Sequence, residues 1–181
     1  MIAVEDTLPL STQYLAELGA YWVKAAQADS EISYALRGRL QLDRQGQLVL
    51  NVPNALVLGI YKALDVTGIE LPVTPRGVLF AHAVVMTAPE VQQIGARKIS
   101  ERGKLLPYTL GRLHQQNGTP TTEWAQRFYL RLHSPQLQSL RRSYGLPSLP
   151  TDPQQRLDGF MVVVAIRRRG VLGYNSTRVR R

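Results

Sequence analysis

The sequence predicts an α+β fold in which a mostly antiparallel sheet is covered by helices. Short stretches of alternating or β-branched apolar residues recur along the chain, and such stretches are typical of strands. Between several of them, apolar residues recur at three- and four-residue spacing, which is typical of helices packed on a sheet. The chain has 181 residues, of which 44% are hydrophobic and 19% charged. We therefore expect one domain over residues 1–181 with a single core.

The first part of the chain predicts a helix, a hairpin and a second helix. Apolar residues at helical spacing predict an amphipathic helix over residues 12–28, added at the N-terminus of the fold. We interpret its aromatic stripe as core packing, with contact to a partner as the alternative. Residues 34–42 and 47–52 alternate on either side of a turn sequence and predict a hairpin. Pro53 then suits the first turn of another helix.

The rest of the chain alternates strands with short helices. Strands are predicted over residues 78–86, 104–115, 124–133 and 159–168. Thr87 predicts the cap of a short helix that ends at Gly95, and Ser134 predicts the start of another that ends at Gly145. In this last helix Leu137 and Leu140 are expected to face inward, whereas Arg141 and Arg142 are expected to face solvent.

Two of the predicted strands look like two copies of one element. They read Phe80-Ala81-His82-Ala83-Val84-Val85-Met86 and Gly159-Phe160-Met161-Val162-Val163-Val164-Ala165. Each is apolar, and each carries near its start one residue that departs from the pattern, His82 or Met161. The pair resembles the two His-x-Thr or His-x-Ser strands that define the 2H phosphoesterase superfamily. The order of elements from about Leu48 to Val171 is also similar to that of this family, so the chain is interpreted as a degenerate member.

The resemblance implies a duplicated fold in which mostly antiparallel sheets meet at a central cleft. Residues i and i+2 of a strand face the same side. In an intact member, both histidines and both hydroxyls would therefore face the cleft. The resemblance further implies that one histidine acts as general base and the other as general acid on a phosphodiester, while the hydroxyls hold the phosphate.

The departures from the motif predict that catalysis is lost. Met161 stands in place of the second histidine, and Val84 and Val163 stand in place of the hydroxyls. A thioether cannot transfer protons, and a single positioned acid or base contributes about 10²–10⁴ in rate. We therefore interpret His82 as a vestigial catalytic residue that is half-buried and structural.

Neither of the other two histidines is predicted to replace the missing one. His133 lies at the end of a predicted strand, and the adjacent Ser134 points to the opposite face. His114 lies near a loop without a carboxylate close in sequence to orient it. Three scattered histidines and no cysteine lack the spacing of metal ligands, so neither a metal nor a cofactor is predicted.

The charge of the chain predicts a polyanionic partner. The net charge is +9 and the isoelectric point is about 10.3. The basic residues form two sets, Arg97, Lys98, Arg102 and Lys104, and then Arg167, Arg168, Arg169, Arg178, Arg180 and Arg181. Each set follows one of the paired strands, so both are expected to flank the cleft and to contact phosphates. Residues 170–181 form a basic tail that we expect to fray.

Three functions are compatible with the sequence. The first is a non-catalytic 2H-like protein that acts as a binding or structural component through its basic surface, with RNA, DNA, an acidic protein surface or an assembly partner as the expected contact. The second is an RNA-binding module, and the third is a residual 2H phosphodiesterase acting on RNA or cyclic nucleotides. Because 2H relatives occur in phages, the resemblance implies a phage-encoded protein in the host cytoplasm or the virion. No apolar stretch is long enough to predict a membrane span.

Overall fold

The computed structural model describes residues 13, 16–20, 35–74, 76–153 and 156–169. The strands are β1 (Ala35–Leu42), β2 (Leu48–Asn51), β3 (His82–Met86), β4 (Leu105–Asn117), β5 (Trp124–His133), β6 (Thr151–Asp152), β7 (Leu157–Asp158) and β8 (Met161–Arg168). The helices are α1 (Asn54–Ala63), α2 (Ala88–Ile94) and α3 (Pro135–Ser143), with a 3₁₀ turn at Ala96–Lys98. Residues 16–20 are also helical.

Six of these strands form one closed antiparallel barrel in the order β1-β2-β3-β8-β5-β4. The predicted α+β class, the antiparallel pairing and the helices are therefore confirmed. The sequence also predicts separate sheets around a cleft, and here the observed topology differs. Pairing of β1 with β4 and of β3 with β8 joins all six strands into a single barrel. Such closure pairs strand edges that two separate sheets would expose.

Side-chain alternation along the strands separates a core face of the sheet from a second face. The core takes Leu48 and Leu50 from β2, Ala83 and Val85 from β3, Phe128, Leu130 and Leu132 from β5, and Val162 and Val164 from β8. Helix α1 adds Leu56, Val57 and Ile60. Val49, Val84, Tyr129 and Met161 are also buried but lie outside this core cluster. These four side chains mark the other face of the sheet, where the candidate site lies.

The N-terminal helical residues pack on α1 at a crossing formed by two glycines. A Cβ atom on Gly19 would meet the backbone of Leu56 and Ile60, and a Cβ atom on Gly59 would meet the backbone of Ala16. Leu18 is buried and belongs to the core cluster. The described residues of the predicted helix 12–28 include Leu18 and Gly19, which pack on their own chain, but not the aromatic stripe, so the interpretation of that stripe as core packing stays a prediction. The remaining residues of 12–28 lie outside the described part.

Helix α3 lies where the sequence predicts it, but one of its arginines faces the other way. Ser134 caps its first turn by accepting a hydrogen bond from the Leu137 N–H at 3.3 Å. Arg142 is exposed as expected, whereas Arg141 is fully buried, so the prediction that it faces solvent is wrong. Arg141 lies one helical turn after the buried Leu137, and this spacing places it on the inner face.

Candidate functional site

The two strands that carry the predicted motifs, His82-Ala83-Val84 and Met161-Val162-Val163, are neighbours in the barrel. β3 and β8 pair antiparallel, with Ala83 opposite Val162. These two residues are equivalent, because each is the middle residue of its three-residue motif. An antiparallel pair of equivalent residues is the arrangement that a local two-fold axis produces. The register also implies that His82 lies across from Val163 and Met161 across from Val84.

The four motif residues that point away from the core line one cavity of about 460 Å³; they are His82, Val84, Met161 and Val163. Its lining consists of Gln45, Gln47, Pro72, Phe80, His82, Val84, Trp124, Arg127, Leu157, Met161, Val163 and Ile166. The inward positions between them, Ala83 and Val162, belong to the core. The two-residue spacing of each motif thus places its outer residues in a common cavity of a size typical of ligand sites.

His82 is held in one tautomer by the backbone of its own strand. Its Nδ1 lies 2.7 Å from the carbonyl oxygen of Phe80, and its ring stacks on the Phe80 ring with a centroid distance of 4.7 Å. A carbonyl oxygen only accepts hydrogen bonds, so Nδ1 carries the proton. In the neutral ring Nε2 then has a free lone pair. His82 thus keeps the tautomer that a general base needs, although its partners in the motif are absent.

Met161 occupies the equivalent position of the second motif and is 5% exposed. Its Sδ atom accepts a hydrogen bond from the backbone N–H of Asp158 at 3.4 Å and lies 4.0 Å from Nη2 of Arg127. Beside it, Val84 and Val163 present methyl groups to the cavity. The four motif positions therefore offer one nitrogen lone pair and three apolar side chains, and only His82 can transfer a proton.

Arg127 is a cavity residue that sequence analysis did not single out. It is 7% exposed, and its Nε donates to Oε1 of Gln116 at 2.7 Å. Its guanidinium lies 4.7 Å from the ring centroid of Trp124 and 5.7 Å from that of Tyr129. Both distances fall within cation–π range. The alternation of Arg127, Tyr129 and the intervening core residue Phe128 along β5 is the sequence signal that could have revealed it.

Burial lowers the pKa of Arg127 from its ordinary value, and the charge of Arg156 acts in the same direction, while Tyr129 opposes both. An arginine nevertheless stays protonated at neutral pH. The cavity wall next to Met161 therefore carries a buried positive charge.

The row of stacked groups continues from Arg127 across β5 to β4. Tyr129 stacks on the His114 ring with a centroid distance of 5.3 Å. Burial lowers the pKa of His114 from 6.5, and the nearby charges of Arg131 and Arg112 lower it further. This ring is therefore neutral at pH 7 and lies in a basic environment. The third histidine, His133, is exposed at the end of β5, where the sequence places it.

The first predicted basic set lies apart from the cavity lining. Arg97 and Lys98 are exposed on the 3₁₀ turn, and Lys104 lies 3.8 Å from Glu101. Arg102 donates through Nε to the carbonyl oxygen of Ile99 at 3.2 Å. The segment is fixed to the end of α3, because the Tyr144 hydroxyl donates to the Lys98 carbonyl at 3.1 Å.

The three described residues of the second basic set form hydrogen bonds or an ion pair with neighbouring loops. Arg167 donates to the Thr67 carbonyl at 2.8 Å, Arg168 lies 3.2 Å from Glu70, and Arg169 donates to the Pro120 carbonyl at 2.9 Å. Among the seven predicted basic residues that the structure describes, none lines the cavity. Arg178, Arg180 and Arg181, together with the tail 170–181, lie outside the described residues.

The described residues show neither a metal-binding cluster nor a membrane-spanning helix. In these ranges His, Asp and Glu side chains do not gather in groups of three that could hold a metal ion. Within the same ranges, the helices are too short or too polar to cross a bilayer. Comparison with known proteins finds no matching family model, curated protein or solved structure.

Proposed function

We propose that this chain is a non-catalytic 2H-like protein that binds single-stranded nucleic acid at its cavity. The observation that carries the proposal is the cavity itself. It gathers both degenerate motifs, retains a single proton-transferring side chain, His82, and adds the buried cation Arg127. The site therefore lies where the 2H resemblance implies a phosphodiesterase site, but its side chains suit binding rather than catalysis.

The duplication that the 2H resemblance implies is supported by the strand order. The strands β1, β2 and β3 are consecutive neighbours in the barrel, and β8, β5 and β4 follow them in that order. Each proposed half thus contributes three neighbouring strands, and its motif strand is the one that pairs with the other half. A two-fold axis between the proposed halves would account for the pairing of Ala83 with Val162, the middle residues of the two motifs.

Loss of catalysis follows from the missing groups. Phosphodiester cleavage by two histidines needs a base and an acid on opposite sides of the phosphorus, and Met161 cannot serve as the acid. Losing that group alone costs about 10²–10⁴ in rate. The valines also remove the hydroxyl donors that would hold the phosphate.

We expect that the wild-type protein will not hydrolyse 2′,3′-cyclic nucleotides above the buffer rate. Replacing His82 with alanine should leave that baseline unchanged, because one histidine alone does not complete the reaction. Chromatographic detection of the nucleoside monophosphate product over long incubation measures both. Hydrolysis by the wild-type protein that disappears in the His82→Ala variant would show that the site is an active enzyme.

Single-stranded nucleic acid is the partner class that the cavity favours. Arg127 stacks on aromatic rings beside the cavity, and a net charge of +9 attracts a phosphate backbone. Aromatic and guanidinium planes are the surfaces on which unpaired bases stack. An acidic protein would use the net charge but not the stacked planes at the cavity.

Replacing Arg127 with methionine is expected to weaken binding of a short single-stranded RNA about tenfold, in the range of one lost stacking and phosphate contact. The Arg44→Met variant is the matched control, since Arg44 is exposed on the turn between β1 and β2 and changes the net charge equally. Fluorescence anisotropy at several salt concentrations measures both affinities. An equal loss in the two variants would mean that only net charge matters and that the cavity is not the binding site.

A further inference from the structure

The side-chain amide of Gln47 lines the cavity and is not hydrogen-bonded to another described residue. Gln47 is 5% exposed, and its backbone is held by Asp43: its N–H donates to Oδ1 of Asp43 at 2.8 Å, and its carbonyl oxygen accepts from the N–H of Asp43 at 3.0 Å. The glutamine amide offers one acceptor and two donor hydrogens. Its place in the cavity points to a ligand with a complementary donor and acceptor.

The surface beside Gln47 suits a flat apolar group. Val84, Val163 and Met161 supply the cavity floor, while the stacked rings of Phe80 and His82 form part of the wall. A phosphate placed on this floor would lose its hydration without gaining hydroxyl donors. A planar ring would instead bury its faces on apolar side chains and keep its edge free for the amide.

We propose that the cavity binds a single nucleobase whose edge pairs with the side-chain amide of Gln47. A glutamine amide matches adenine best, because it donates to one ring nitrogen and accepts from the exocyclic amine. Arg127 supplies a positive charge for the phosphate on the ribose that carries that base. The base comes from a free nucleotide or from an unpaired position of a single strand. In the second case the inference rests on the proposed function.

The first test measures binding of adenosine monophosphate by calorimetry. The Gln47→Leu variant keeps the side-chain volume and removes the amide, and it is expected to bind about tenfold more weakly, the equivalent of 1.4 kcal/mol. The Gln93→Leu variant is the matched control, because Gln93 is exposed on α2. Ribose 5-phosphate, which lacks the base, should bind much more weakly than the nucleotide. Equal affinity of the two variants, or of the two ligands, would overturn the inference.

A second measurement on the wild-type protein does not depend on how the variants fold. Adding adenosine monophosphate should shift the NMR signals of the Gln47 side-chain amide and of the Trp124 indole N–H, both at the cavity. Signals of the exposed Gln93 amide should stay in place. Binding without a shift of the Gln47 signal would overturn the assignment of this amide.

A single-stranded oligoadenylate separates the two sources of the base and the two proposals. Tighter binding of the oligomer than of the mononucleotide, with both weakened in Gln47→Leu, supports a base within a strand. Gln47-dependent binding of the mononucleotide alone supports a free nucleotide and contradicts the proposed nucleic-acid function. Oligomer binding that depends on Arg127 but not on Gln47 leaves the proposed function intact and overturns the nucleobase site.

Discussion

Replacing Arg141 with methionine is expected to destabilise the protein by about 3–5 kcal/mol, the cost of breaking a buried ion pair by removing one partner. Arg141 is fully buried and forms a bidentate pair with Glu90, at 2.7 and 3.0 Å. Its remaining N–H groups donate to the carbonyl oxygens of Val85, Pro147 and Leu149 at 2.6, 2.7 and 3.3 Å. All five donors are thus satisfied, and all five bonds would be lost.

The position of Glu90 explains why the effect should be so large. Its carboxylate also accepts a hydrogen bond at 2.8 Å from the backbone N–H of Thr87, in the capping box of α2. Arg141 therefore connects α3 to the cap of α2, to the end of the His82 strand and to the loop after α3. Urea denaturation of the variant, with Arg142→Met as an exposed control on the same helix, measures the difference.

The pH dependence separates the lost ion pair from a simple packing defect. Burial alone would raise the pKa of Glu90, but hydrogen bonds from Arg141 and Thr87 and the charge of Arg141 outweigh it and lower the pKa below 4.5. In the wild-type protein this stabilisation is fully present above pH 4.5 and is lost as the pH falls through the lower folded-state pKa. In Arg141→Met the pKa of Glu90 should rise, since burial then acts without the arginine. The cost of the substitution should therefore shrink on acidification, whereas a cost independent of pH would indicate packing alone.

The fold was predictable from sequence to the extent that local patterns determine it. Alternation and turn residues located the β1–β2 hairpin and β5, and Thr87 with Glu90 located the start of α2. Closure of the barrel was not predictable, because the pairing of β1 with β4 joins segments far apart in sequence. Arg141 was assigned to solvent by its charge, although its helical spacing from Leu137 placed it inside.

The candidate site was also only partly predictable from the sequence. The two motif strands and their outward positions could be read from sequence, because a two-residue period fixes which side chains share a face. Alternation along β5 assigns Arg127 to the face away from the core, but it does not place Arg127 or Gln47 in the cavity, because that depends on the neighbours that β5 and the start of β2 acquire in the barrel. The two basic sets were predicted because basic residues are dense there along the sequence. Density along the sequence does not show which residues lie together at a cavity.

The crossing between the N-terminal helical residues and α1 provides the second large expected effect. Replacing Gly59 with valine would place a side chain against the backbone of Ala16, and backbone cannot move aside as a flexible side chain can. We expect a loss of about 3 kcal/mol in the free energy of unfolding, at the upper end of the usual range for overpacking. Lys62→Val is the matched control, because Lys62 is exposed on the same helix and introduces the same β-branched residue.

Gly19, the glycine on the other side of this crossing, allows a direct test of the contact between the two segments. A Cβ on Gly19 would meet the carbonyl of Leu56, so Gly19→Val should also destabilise the protein. Both substitutions separate the same two segments and expose Leu18, which belongs to the core cluster. Once one substitution has separated them, the second has little left to disturb. The double variant should therefore lose clearly less stability than the sum of the single losses. Additive losses in urea denaturation would mean that the two glycines act independently and that the N-terminal helical residues do not pack on α1 as a unit.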